Sequence, residues 1–410
     1  MGARKLLVLG GGFAGLWSAL AAARQRDLLG LGPEALAITL VNRDGFHSIR
    51  VRNYEADLSA LRISLQDLLM PVGIQWLEAE VVGLDASTRT VALSSKAGPS
   101  TLAYDRLVLA LGSELRRPAF PCLVEHGFDV DTYNGALRLQ GHLQALPAHP
   151  DSAELWTVVV VGAGLTGIEL ATELPARLAA LQRAAGLERP VRVVLADHGF
   201  RVGSDMGADA QPVIEEALAA LGIETCLGVS VAAITAAGLT LSSGEVIGAA
   251  TVIWCAGMQA SPLTGELPLE RDRFGRLPVD EFLRIQGIDA VFAAGDCAWL
   301  PIEPGHSSVM SCQHSRPMGR FAGHNAVCDL FGQPLLPLQL PGYVTVLDLG
   351  PWGALYTEGW DRQLVSRGAA AKQTKQLINR QRIVPPLSFD PAALLAAAAP
   401  LVQAPPPVLD

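Results

Sequence analysis

The chain has 410 residues, half of them hydrophobic and 17% charged, with a formal net charge of −9. That length allows two domains and a small third, each with its own core, and the composition excludes a disordered chain. The acidic balance, with no basic stripe, excludes a general nucleic-acid binder. Six scattered cysteines with no CxxC pair and no metal-ligand spacing point to a reduced, cytoplasmic setting without a metal centre.

The chain opens with the apolar run Leu6 to Leu9, then Gly10-x-Gly12-x-x-Gly15 and a helical pattern from Leu16. A strand that turns directly into a helix is what a dinucleotide pyrophosphate needs. Gly10 permits the tight turn, Gly12 lets backbone approach phosphate, and Gly15 lets helix and strand pack closely. Phe13 and Ala14 complete this candidate cofactor turn. Alone, the stretch also reads as a signal peptide or spanning helix, because eighteen uncharged residues separate Lys5 from Arg24. The next strand, Ala35 to Val41, ends in Asn42, Arg43 and Asp44, where such a unit usually carries an acid for the ribose; Asn42 can bond a hydroxyl without the charge. His47, in the following Phe46–Arg50 stretch, either faces the ligand or belongs to a polar loop over the sheet.

Residues 61–112 alternate short apolar runs with turn signals at Gly73, Gly83-Leu84-Asp85 and Gly98-Pro99, and Thr88 to Leu93 reads as a strand. A buried strand from Tyr104 ends in Ala110-Leu111-Gly112, where small residues let a cofactor or crossing chain approach. Pro118 and Pro121 mark a crossover. The opening pattern then recurs: a β-branched run to Val161, then Gly162-Ala163-Gly164-Leu165-Thr166-Gly167 and a second helical pattern. This repetition argues against a targeting segment and for two dinucleotide-binding units.

The second unit's next strand ends in Asp197, positioned to accept a bond from the ribose of NAD and to repel a 2′-phosphate. His198 and Arg201 nearby keep NADPH as an alternative to NADH. Glu169 is either an early-helix acid favoured by the dipole or a group that orients the nicotinamide. A strand ends at Ala256-Gly257, and Phe274 to Asp280 reads as a turn and strand. Another strand runs from Val291 into Gly295-Asp296; Asp296 either holds a hydroxylated chain such as a flavin ribityl or caps the next helix. Residues 310–331 read as a long helix with Pro317 near its start, where proline fits best in the first turn. The tail carries a strand-like Tyr343 to Leu347, a helical Ala369 to Arg380 and an apolar Pro391 to Val402, too short to span a bilayer.

Over residues 5 to about 331 this pattern resembles the two-dinucleotide-domain flavoproteins of the pyridine nucleotide-disulfide reductase superfamily. Gly10-x-Gly12-x-x-Gly15, Ala110-Leu111-Gly112 and Gly295-Asp296 match its FAD segments in order, and Gly162 to Gly167 its NAD(P) segment. Within it, the chain most resembles type II NADH:quinone oxidoreductases and AIF-like quinone reductases. The resemblance implies an α/β fold of two Rossmann-like domains. The FAD domain is split over 1–118 and 263–332, the NAD(P) domain is inserted at 119–262, and a small α+β region follows at 333–410.

The implied cofactors are FAD and NADH, and the implied catalytic residues are Glu169, beside nicotinamide and flavin, and Gln313, on the acceptor side. Gln313 matches the first glutamine of the family's Ala-Gln-x-x-x-Gln motif, whereas Cys312 and Pro317 depart from it. The paired cysteines of the disulfide branch are missing, since no cysteine precedes Cys122. Cys297 and Cys312 either approach the flavin or are buried, inert thiols, and the second reading is preferred. The expected activity is hydride transfer from NADH to FAD and onward electron transfer to a quinone-like acceptor, with peripheral association at the inner face of the membrane and a homodimer both compatible. The alternatives are a reductase of a small redox protein, a tailoring flavoenzyme acting on a small molecule, and a flavin redox sensor.

Overall fold

The computed structural model describes residues 2–118 and 123–407; Pro121 and Cys122 of the expected crossover lie outside the described residues. Two five-stranded parallel sheets form the frame. The first runs Val291–Ala293, Arg106–Leu109, Arg4–Leu9, Leu36–Asn42, Gln75–Glu78. The second runs Gly127–Phe128, Thr251–Trp254, Thr157–Val161, Arg192–Asp197, Ile223–Leu227. In both, the strand entering the glycine turn is central, with the next strand of its unit on one side and a later crossing strand on the other. Every residue of Thr157–Val161 is buried, as a parallel strand covered on both faces requires. Both expected Rossmann-like units are therefore present.

The chain passes between the two sheets through an antiparallel pair, Ser113–Leu115 with Met258–Ala260. A meander of Glu80–Asp85, Thr90–Ser95 and Gly98–Ala103 follows the first unit's edge strand. Its second turn falls at Lys96-Ala97, so Gly98-Pro99 is not the turn but the start of a strand. Ser95 explains the shift: its hydroxyl accepts from the Ala97 amide at 3.2 Å and donates to the Gly98 carbonyl at 3.1 Å. Pro99 then lies on an edge strand, where its missing N–H can face away from the ladder. From Phe274 to Asp280 only Leu277–Pro278 pairs as strand, against Ala298–Trp299.

The tail folds as an antiparallel sheet of Val344–Asp348, Ala354–Glu358 and Gln363–Arg367, followed by the helix Gly368–Leu377. That helix ends three residues earlier than expected and passes into a π turn, Ile378–Arg382. Pro391–Ala397 forms a short last helix.

The long helix Cys312–Leu330 packs along the opening helix Phe13–Leu28. A Cβ on Gly319 would meet the Ala14 carbonyl oxygen at 2.3 Å, and one on Gly323 the Ser18 carbonyl oxygen at 1.9 Å. Only glycine at these positions lets the two backbones come so near. Pro317 is not in the first turn but inside the helix, where it has no N–H to offer the Gln313 carbonyl. The glycine seam makes Gly323→Ala a sharp test. The added methyl should force the helices apart and lower stability by about 1–3 kcal/mol, read by urea or thermal melting.

Candidate functional site

The two glycine turns are near copies. Gly10 and Gly162 have φ of +102° and +113°, and a Cβ there would meet Ala110 O at 2.4 Å and Ala256 N at 2.9 Å. A Cβ on Gly15 or Gly167 would stand 1.7 Å from the carbonyl oxygen of Gly10 or Gly162. Gly12 and Gly164 are different: nothing lies within 4 Å of where their Cβ would be. Each is an N-cap residue whose helix start has no side-chain capping bond. Each unit thus brings free helix N–H groups and a positive dipole end to an open backbone face suited to a phosphate. Phe13 and Ala14 lie in the first turn of one helix, Leu165 and Thr166 in that of the other.

The residue ending the second strand reaches back to each turn. Asn42 Oδ1 accepts from the Gly11 amide at 2.9 Å, and Asp197 Oδ2 from the Ala163 amide at 2.6 Å. Asn42 also donates to the Asp44 carbonyl at 2.9 Å, and the Gly199 amide donates to Asp197 Oδ1 at 2.6 Å. Only the second unit therefore offers a negative charge at this point. Arg43 is exposed beside Asn42. His47 is fully buried, not part of a solvated loop, and its Nδ1 donates to the Gly11 carbonyl at 2.9 Å. Burial pushes its pKa down to about 4, so it is a neutral support for the first glycine turn, with no partner for Nε2 among the described residues.

Asp296 sits in the short 3-10 turn Gly295–Cys297 and does not cap the following helix, which is capped by Ser311. Its carboxylate receives the hydroxyls of Ser113 at 2.6 Å and Ser315 at 3.1 Å. Arg50 in turn donates to the Ser113 carbonyl and hydroxyl, both at 3.0 Å, and pairs with Asp131. This chain of bonds ties Asp296, near Ala110 and Gly112, to the crossover. Gly257 follows the second unit's crossing strand with φ of +79°, packed against Arg116. Gln313 is half-buried in the first turn of its helix. Cys297 donates to the Leu109 carbonyl at 3.3 Å, and burial pushes its thiol up to about 11; burial also raises Cys312. Both are protonated thiols at neutral pH.

Glu169 is buried, and its partner comes from the far end of the chain. Lys375 Nζ, on the tail helix, donates to Glu169 Oε1 at 2.6 Å and to the Val346 carbonyl at 2.9 Å. The Asp348 amide donates to the same carboxylate oxygen at 3.1 Å. Burial pushes the Glu169 carboxyl up, partly offset by Lys375. Lys375 is pulled down by burial, but the facing carboxylates outweigh this and hold it above its usual range. Around this pair, Lys372 bonds Asp348 and lies 3.8 Å from Glu173, and the Tyr54 hydroxyl reaches Asp348 at 3.3 Å. Sequence reasoning missed Lys375 as a partner; the available signal was two lysines three apart, which share a helix face.

The family model for pyridine nucleotide-disulphide oxidoreductase matches residues 4–319. An NADH dehydrogenase-like protein of Mycobacterium tuberculosis is 59% identical over 399 residues, covering 97% of this chain and 99% of its own. A type II NADH:quinone oxidoreductase of Staphylococcus saprophyticus is 27% identical over 365 residues, covering 85% and 88%. Among solved structures, NDH2 of Plasmodium falciparum in complex with NADH superposes with a TM-score of 0.75 at 13% identity, covering 96% and 97%.

The buried pair makes Lys375→Met informative. Removing the cation strands Glu169 without its partner and should cost about 3–5 kcal/mol of stability at neutral pH. With its pKa raised further above the unfolded value, native Glu169 holds its proton more tightly than the unfolded chain does. The variant's deficit should therefore grow as pH rises from about 5 to 8 and shrink in acid, measured by denaturant melts across that range.

Proposed function

The chain belongs to the pyridine nucleotide-disulphide oxidoreductase family, and from that premise we propose that it oxidises NADH through a bound FAD and reduces a quinone-type acceptor. Bound FAD supplies the hydride acceptance and onward electron transfer. The residues present fit that group. The first unit offers the open backbone at Gly12, the uncapped helix start at Phe13 and Ala14, and the Asp296 carboxylate held by two serines. We assign the FAD domain to 1–118 and 263–332, the NADH domain to 119–262 and the tail to 333–410.

The observation that carries the reading is the duplication: one glycine turn per sheet, each with its own strand-end hydrogen-bonding residue. In this reading Gly162, Gly164, Leu165, Thr166 and Gly167 bind the NADH pyrophosphate, and Asp197 accepts a bond from its adenosine ribose. Glu169, oriented by Lys375 and the Asp348 amide, sits beside the nicotinamide. Asn42 and Arg43 edge the FAD ribose, Ala110, Gly112 and Gly295 line its path, and Gly257 borders the nicotinamide side. Gln313 faces the acceptor. No helix among the described residues is long and apolar enough to cross a membrane, and the reading includes peripheral contact with the inner membrane face, where a quinone would be met.

Anaerobic addition of NADH to the purified flavoprotein should bleach the flavin spectrum, and a soluble quinone should restore it rapidly. Bleaching with no recovery would move the acceptor to a protein or another metabolite. Gln313→Ala should slow the recovery phase while leaving the bleaching phase intact; unchanged quinone kinetics would remove its role. Asp197→Ala should narrow the preference for NADH over NADPH by about tenfold, seen in the ratio of kcat/KM values, for the loss of one charge-assisted hydrogen bond and one repulsion.

A further inference from the structure

Two buried arginines, Arg316 and Arg320, and the half-buried Arg382 lie together under residues 401–407. Arg316 and Arg320 leave the helix Cys312–Leu330 one turn apart, only 6% and 5% exposed, with guanidinium carbons 5.5 and 4.4 Å from the Trp17 ring centroid. Among the described residues no carboxylate pairs with them or with Arg382. Their donors go instead to neutral oxygens of a strap, residues 401–407, that has no regular structure. Arg316 donates to Gln403 Oε1 at 2.8 Å, Arg320 to the Leu401 carbonyl at 3.3 Å, and Arg382 to the Ala404 carbonyl. Beyond these, the strap has one further hydrogen bond to the body among the described residues, from Thr374 to the Pro407 carbonyl at 3.5 Å, while Val402 packs against the core and Pro406 is buried.

Three more donors in this cluster have no hydrogen-bond partner among the described residues: Nε of Arg316, Nε of Arg320 and the indole N–H of Trp17. Burial pulls both helix arginines down to about 10, and the like charges of Arg382 on Arg316 and of Arg316 on Arg320 push the same way. Buried guanidinium groups without a counter-charge are costly, and their forked donors match a tetrahedral oxyanion better than an amide.

We propose that Arg316, Arg320 and Arg382 form a phosphate-binding site covered by the 401–407 strap, which a phosphate group opens by displacing Gln403 and the strap carbonyls. The phosphate is either free or part of an anionic lipid headgroup. The site is independent of the assignment of the electron acceptor.

Hydrogen–deuterium exchange on the full-length flavoprotein tests it, with inorganic phosphate or phosphatidylglycerol vesicles as probe and chloride at equal ionic strength as control. Amides from Leu401 to Ala404 should exchange several-fold faster with a probe. A response to inorganic phosphate identifies a free oxyanion, and a response to the vesicles alone identifies the headgroup. No response to either overturns the site. An Arg316→Gln/Arg320→Gln variant that keeps its flavin should lose the response; a retained response overturns the assignment to these arginines. Gln403→Ala, which alters an exposed side chain, should lower the probe midpoint by about tenfold or more, for one hydrogen bond to a charged group. An unchanged midpoint overturns the competition by the strap.

Discussion

In each unit the helix starts so close to the strand it follows that a methyl group on Gly15 or Gly167 would lie 1.7 Å from a strand-end carbonyl oxygen. That contact governs what surrounds it. It brings the positive end of the helix to the end of the central strand, and it leaves the middle glycine with open space on one side. It also sets the distance at which Asn42 and Asp197 reach back to the turn. The same economy of side chain recurs where Gly319 and Gly323 meet the opening helix. The first sheet, its helix and the long late helix are thereby locked against one another around the first glycine turn.

A second constraint joins the tail to the inserted unit. Glu169, Lys375 and the Asp348 amide form a buried cluster that spans the chain from residue 169 to residue 375. Such a pair contributes little net stability relative to apolar packing, but it tolerates no loss of a partner and so selects one seating of the tail. Gly350 reports the same tightness: a Cβ there would be 2.3 Å from the Thr172 carbonyl oxygen. The tail is therefore part of the candidate site, not an appendage to it.

Local pattern was enough to read both glycine turns, the strands beside them and the long late helix, whose bounds of 312 and 330 lie within two residues of expectation. Features that depend on a few hydrogen bonds were less legible. Gly98-Pro99 looks like a turn until Ser95 is seen to close the reversal ahead of it. Asp296 was ambiguous between a cap and a ligand holder, and the presence of Ser311 as the cap removed the first of these. His47 was undecided because its alternatives differ in burial, which one residue's neighbours in sequence do not reveal.

The division follows the range of the forces involved. Glycine spacing, β-branched runs and strand-to-helix order act within a dozen residues, so the α/β class, the two dinucleotide turns and the charge difference between Asn42 and Asp197 were present in the primary structure alone. The partner of Glu169 lies 206 residues away, and the strap over Arg316 is 87 residues from it. Contacts of that separation exist only once two sheets and a tail have packed. Which acid is buried and how strongly its cation is needed are consequences of desolvation, a property that no short stretch of sequence possesses until the rest of the chain has excluded water from around it.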